Sequence, residues 1–138
     1  MKIGLALAIV GVVSTTQMIM VNPAHAWQYG ALAAGSCNEV SGRGVNDVSE
    51  YEAESGALRQ CRKFGGDNCQ PVAKISGREG CAAFAVSGTA ECNKPTGVGY
   101  GADRSAARTE ALRICDSQWG AETRCRILND ICPAATKP

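Results

Sequence analysis

Eight cysteines, a cluster of three glutamates and a pair of arginines are the residues of this chain whose types and spacing bear on chemistry. Nucleophilic catalysis of the Ser-His-Asp or Cys-His kind needs an imidazole to carry the proton. The chain has one histidine, His25, inside a segment that reads as a removable leader. Histidine-based metal sites are lost with it. The cysteines stand at 37, 61, 69, 81, 92, 115, 125 and 132 and include no C-x-x-C pair, the spacing used by thiol redox enzymes. Zinc knuckles hold their paired cysteines about two to four residues apart. The closest pair here, Cys125 and Cys132, has six residues between its members. Neither a metal nor another cofactor is expected.

Carboxylate pairs can serve as general acid and base, as in glycosidases. Glu50, Glu52 and Glu54 are the densest acidic group. Residues two apart on a helix do not share a face, and acids in a first turn are accounted for by the helix dipole. A hydrolase working with carboxylates alone is therefore the alternative reading, and no catalytic residue is assigned. Arg104 and Arg108, four apart, make a small basic face that reads first as a solvated helix surface, with an anion site or partner contact as the alternative. Gly97, Gly99 and Gly101 (GVGYG) lack the lysine and the spacing of phosphate loops and read as glycines in a twisted or bulged strand. Among Trp27, Tyr29, Tyr100 and Trp119, the two tyrosines fall in strand segments. Trp119, just past a helix, reads as a lid over the core, and of the four it is the best candidate for exposure to a partner.

The elements that position these groups follow a leader. Lys2 precedes an apolar run, Ile3 to Val13, and Ala24-His25-Ala26 has the small-x-small form that signal peptidase cuts. Cleavage between Ala26 and Trp27 is expected, giving a soluble exported chain, periplasmic or extracellular, with no stable membrane insertion. The apolar run is too short to span a bilayer, which takes about 20 residues. Of 14 Lys and Arg only Lys2 precedes the cut, leaving 13 against 13 Asp and Glu. A neutral chain without clustered basic residues lacks the footprint of nucleic-acid binding. An even cysteine count in a small exported domain points to disulfides.

The mature chain repeats itself. Cys61 and Cys115 each follow alanines eight and four residues earlier (Ala53, Ala57; Ala107, Ala111), a leucine three earlier and an arginine two earlier. These spacings define one helical face, with Ser49 and Asp103 as N-caps twelve residues before each cysteine. Helices are predicted over 49–63 and 103–117. Apolar segments 29–34 and 81–86 precede them, then glycine-rich segments 42–47 and 97–101. After them come 71–75 and 126–131. The sequence thus predicts an α+β domain over 27–132, made of two ββαβ repeats (29–76 and 81–132). Their strands are expected to form a mainly antiparallel sheet with two helices packed on one side, followed by a flexible tail, 133–138.

The chain resembles the small exported bacterial domains known as domain of unknown function 4189. The resemblance rests on Tyr29-Gly30-Ala31-Leu32-Ala33, on Ala57-Leu58-Arg59-Gln60-Cys61, on Cys69, on Cys81-Ala82-Ala83-Phe84-Ala85-Val86 and on a closing Cys132. Cys81-Ala82-Ala83 replaces the family's usual Cys-Gly-Ala, and Cys37 and Cys92 look like additions. The family offers no catalytic residues to carry over. The repeat pairs Cys61 with Cys69, and Cys115 with Cys125. The resemblance implies a staple between Cys81 and Cys132. Cys37 and Cys92, at equivalent loop positions, are left for each other. A stapled scaffold without the usual catalytic groups is expected to be a non-enzymatic binding module, such as an inhibitor or immunity-type protein. Its partner would be another protein, contacted through Trp119, Arg104 and Arg108. A thiol-disulfide role at Cys37–Cys92 is a further alternative.

Overall fold

The computed structural model describes residues 28–37, 39–88, 92, 94–118 and 124–135. Its elements are β1 (Tyr29–Ala34), β2 (Ser41–Asn46), α1 (Glu50–Lys63), β3 (Gln70–Ser76), β4 (Cys81–Ser87), β5 (Thr96–Gly101), α2 (Arg104–Ser117) and β6 (Cys125–Ile131). The ββαβ unit occurs twice in an α+β fold, as the sequence implies. Each helix starts at its cap. Ser49 Oγ accepts from the Glu52 N–H at 3.2 Å, and Asp103 Oδ1 accepts from the Ala106 N–H at 2.8 Å.

The strands form two antiparallel sheets, ordered β2-β1-β3 and β5-β4-β6. The central strands explain why there are two. Successive side chains of a strand point to opposite faces, and β1 and β4 are apolar at both parities. Ala31 and Ala33 pack with Ala53, Ala57 and Cys61 of α1. Leu32 and Ala34 instead join Ala73, Ile75, Ala82, Phe84, Val86 and Ile131 in a cluster built from both sheets. Ala83 and Ala85 face Ala107, Ala111 and Cys115 of α2. The layers therefore run helix, sheet, sheet, helix. This differs from one joined sheet with both helices on one side. That arrangement would leave the Leu32 and Phe84 faces in water, at about 1.5–3 kcal/mol for each large side chain.

Each helix lies very close to its sheet. The alanines of β1 pair with glycines of β2 (Ala31 with Gly44, Ala33 with Gly42), and those of β4 pair with glycines of β5 (Ala83 with Gly99, Ala85 with Gly97). A Cβ on Gly44 would sit 2.0 Å from the Ala53 carbonyl oxygen, and one on Gly99 2.2 Å from the Ala111 nitrogen. The GVGYG segment is thus a strand whose glycines make room for α2. Both repeats also carry a register shift at the same place, between Leu32 and Ala33 and between Phe84 and Ala85.

Four disulfides close: Cys61–Cys69, Cys115–Cys125, Cys81–Cys132 and Cys37–Cys92. The first two tie each helix end to the following strand. The third joins the start of β4 to the residue after β6, and the fourth links the β1–β2 and β4–β5 loops. In the chain-entropy model each local loop contributes about 2.5 kcal/mol and each long one about 4. Such a set of bridges is the mark of a chain that folds in an oxidising compartment. Among the described residues no helix is long and apolar enough to cross a membrane. Where a flexible tail was expected at 133, Pro133–Ala135 instead form a 3-10 turn. Pro133 is buried there, and a Cβ on Gly30 would meet its ring. The leader, the Ala26–Trp27 junction and Trp119 lie outside the described residues.

Candidate functional site

Arg104 and Arg108 sit at the start of α2, one turn apart, beside the outer strand β6. Both reach one carboxylate. Arg104 Nε lies 2.9 Å from Asp130 Oδ1, and Arg108 Nε lies 2.5 Å from Asp130 Oδ2. The Asp130 side chain is 8% exposed, while those of Arg104 and Arg108 are 49% and 50% exposed. A buried carboxylate therefore pins two half-exposed guanidiniums through their Nε edges. Both guanidiniums stay about half exposed to solvent beyond that contact. Guanidinium presents its donors as a planar fork matched to carboxylate or phosphate.

Asp130 occupies this place because of register. It pairs with Ala83 of β4 and so points to the α2 face of its sheet. A third arginine comes from the other repeat. Arg43 of β2 pairs with Leu32, which turns it toward the second sheet. Its own N–H donates to Gln60 Oε1 at 2.6 Å. Asn129 Nδ2 donates to Ser41 Oγ at 2.9 Å, and an Arg126–Glu39 ion pair further ties β6 to the β2 side. Arg43, Arg104, Arg108, Leu128, Asn129 and Asp130 thus line a depression of about 510 Å³. Three guanidiniums face one carboxylate there, a surplus of two positive charges.

Helix stability does not ask for this arrangement. The helix dipole favours acids in the first turn and bases in the last. α1 complies, with Glu50 and Glu52 first and Arg62 and Lys63 last. α2 has no acid in its first turn and no base in its last. Arg104 stands where the dipole disfavours a cation, and Asp130 compensates.

The equivalent place in the first repeat carries the opposite charge. Offsetting the repeats by the separation of Cys61 and Cys115 sets Glu50 on Arg104 and Glu54 on Arg108. Lys74 stands opposite Glu54 at 3.5 Å, as Asp130 stands opposite Arg108. Lys74 pairs with Ala31 just as Asp130 pairs with Ala83. Glu50, Glu54, Val72, Lys74 and Tyr100 line this second depression, of about 560 Å³. Tyr100, expected to pack within its sheet, is 51% exposed there, because β5 is an edge strand. Tyr29 packs against the α1 cluster.

The sequence singled out Arg104 and Arg108, and the structure brings them together on Asp130. Arg43, Asn129 and Asp130 went unnoticed. The repeat offset held the missing signal, since it shows a charge inversion at matched helix and strand positions. Among the carboxylates, Glu54 is held by Lys74, Glu50 lines the same depression and Glu52 is exposed beside the cap. No group of His, Cys, Asp and Glu suited to a metal occurs among the described residues.

A family model described as a domain of unknown function, DUF4189, matches residues 29–132. The chain belongs to that family. It is also similar to a solved structure, the NMR structure of Rv1813c from Mycobacterium tuberculosis. The identity is 22%, with 96% of this chain and 97% of that chain covered at a TM-score of 0.49. No curated protein matches the chain.

Proposed function

We propose that this domain is an exported, non-enzymatic recognition module, in the manner of an inhibitor or immunity-type protein. The arginine depression beside α2 would receive an acidic group of a partner protein. The observation that carries this reading is the pinning of Arg104 and Arg108 by the buried Asp130. Their half-exposed guanidiniums are held in place before a ligand arrives, which lowers the entropy lost on binding. The leader supports delivery to the periplasm or beyond, and the disulfides support service in an oxidising compartment.

Hexaglutamate is a suitable probe, followed by the arginine Nε–Hε signals in NMR spectra of the disulfide-closed chain. The signals of Arg104 and Arg108 should move on titration, and the effect should vanish in R104Q/R108Q and weaken as salt is raised. Signals that stay still, or an unchanged response in the variant, would remove the assignment.

One observation favours a second reading, a thiol-disulfide role. Cys92 is exposed, whereas Cys61 and Cys115 are wholly buried. Limiting dithiol should then open Cys37–Cys92 well before the other bridges. Equal reduction of all four would dismiss it.

A further inference from the structure

The two depressions occupy the same place in their repeats and carry opposite charges. Resting on the recognition reading above, we infer that the acidic group received by the arginine depression belongs to a second copy of this chain. It is the α1 face bearing Glu50 and Glu54, so that copies associate head to tail.

Charge and spacing both support this occupant. Arg104 and Arg108 are four residues apart on α2, and Glu50 and Glu54 are four apart on α1. Side chains at that spacing are neighbours on one helix face, about 5–6 Å apart at Cβ. Two guanidinium forks therefore meet two carboxylates whichever way the helices run. The counter-charges are inverted as well, with Asp130 behind the arginines and Lys74 behind the glutamates. Face to face, the two patterns place no surplus of like charge together. Arginine against arginine does, so like faces repel. Tyr100, half-exposed beside Glu50 and Glu54, adds an aromatic face that attracts a guanidinium. One basic and one acidic face per chain make the contact heterologous, closing into a ring or growing as a chain according to the rotation it sets.

Sedimentation velocity of the full disulfide-closed chain, at low ionic strength and again in about 0.5 M NaCl, tests this directly. Association is expected at low salt and should be largely lost at high salt. E50R/E54R leaves the Asp130 cluster intact and should associate at least about tenfold more weakly. R104Q/R108Q should do the same. An equimolar mixture of these two variants should restore a one-to-one complex, because one brings an intact basic face and the other an intact acidic face. A wild-type chain that stays monomeric at low salt overturns the inference, as does a mixture that fails to pair. The hexaglutamate titration separates the two failures. If the probe binds while the chain stays monomeric, the recognition reading survives and only the second copy is lost as partner. If neither occurs, both fall.

Discussion

The two halves of this molecule share a framework and differ in charge. Each has an alanine-faced helix on a glycine-bearing strand, a register shift at the same place in its central strand, and a local disulfide from helix end to following strand. On that shared frame the first repeat carries Glu50, Glu54 and Lys74, and the second carries Arg104, Arg108 and Asp130. What is constant is what packing requires. What is inverted lies where packing is indifferent, and those positions are free to specify a partner.

The sharpest way to break the comparison is to attack the shared part. Gly44→Val and Gly99→Val each drive a side chain into helix backbone, and each should cost about 3 kcal/mol in urea denaturation. Equal losses would confirm that the halves are mechanical equivalents. A loss confined to one half would show that its helix can retreat. The inverted part should respond unequally. R104A/R108A strips a buried carboxylate of both partners and should cost about 2–3 kcal/mol. E50A/E54A removes groups from a wetter pair and should cost less than about 1. Similar values would mean that Asp130 is better solvated than its burial indicates.

The smallest effect concerns a pair present in one half only. Arg113 donates to Glu110 at 2.7 and 2.8 Å, and this hydrogen bonding holds the Glu110 carboxyl below the ordinary glutamate range. The first repeat has Gly56 and Arg59 at the matched positions and so lacks the acid. Because the folded value is lowered, the small stabilisation is present above the unfolded value and fades as pH falls through the folded one. NMR titration of Glu110 should show the low value, and Arg113→Gln should bring it back up. No change would mean the pair is not formed in solution.

The repeat, the helices and the α+β class were legible because alanine, leucine and cysteine recur at helical spacing before Cys61 and Cys115. The division into two sheets was less so. Tyr29–Ala34 and Cys81 to Val86 are apolar at both parities, which says that both faces are covered but not by what. Leu32 and Phe84 meet each other's sheet through contacts distant in sequence. The site was legible by half. Arg104 and Arg108 are neighbours on any helix, but Asp130 joins them through the register of β6 against β4. Arg43 arrives from the other repeat altogether, and no local pattern encodes that.

The overlap of the two long bridges has a mechanical consequence. Cys37–Cys92 and Cys81–Cys132 enclose interlocking stretches of chain. A pull on the ends of the described chain passes from residue 28 to 37, crosses to 92, returns to 81 and crosses again to 132. Both helices lie off that route, as do β2, β3, β5 and β6. Only roughly two dozen residues can be drawn out, about 80 Å at full extension, before covalent bonds bear the load. Tension that would unravel an unbridged domain of this size therefore extends only this bridged route, which holds β1 and β4, and drawing out the stretches beyond it requires a reductant.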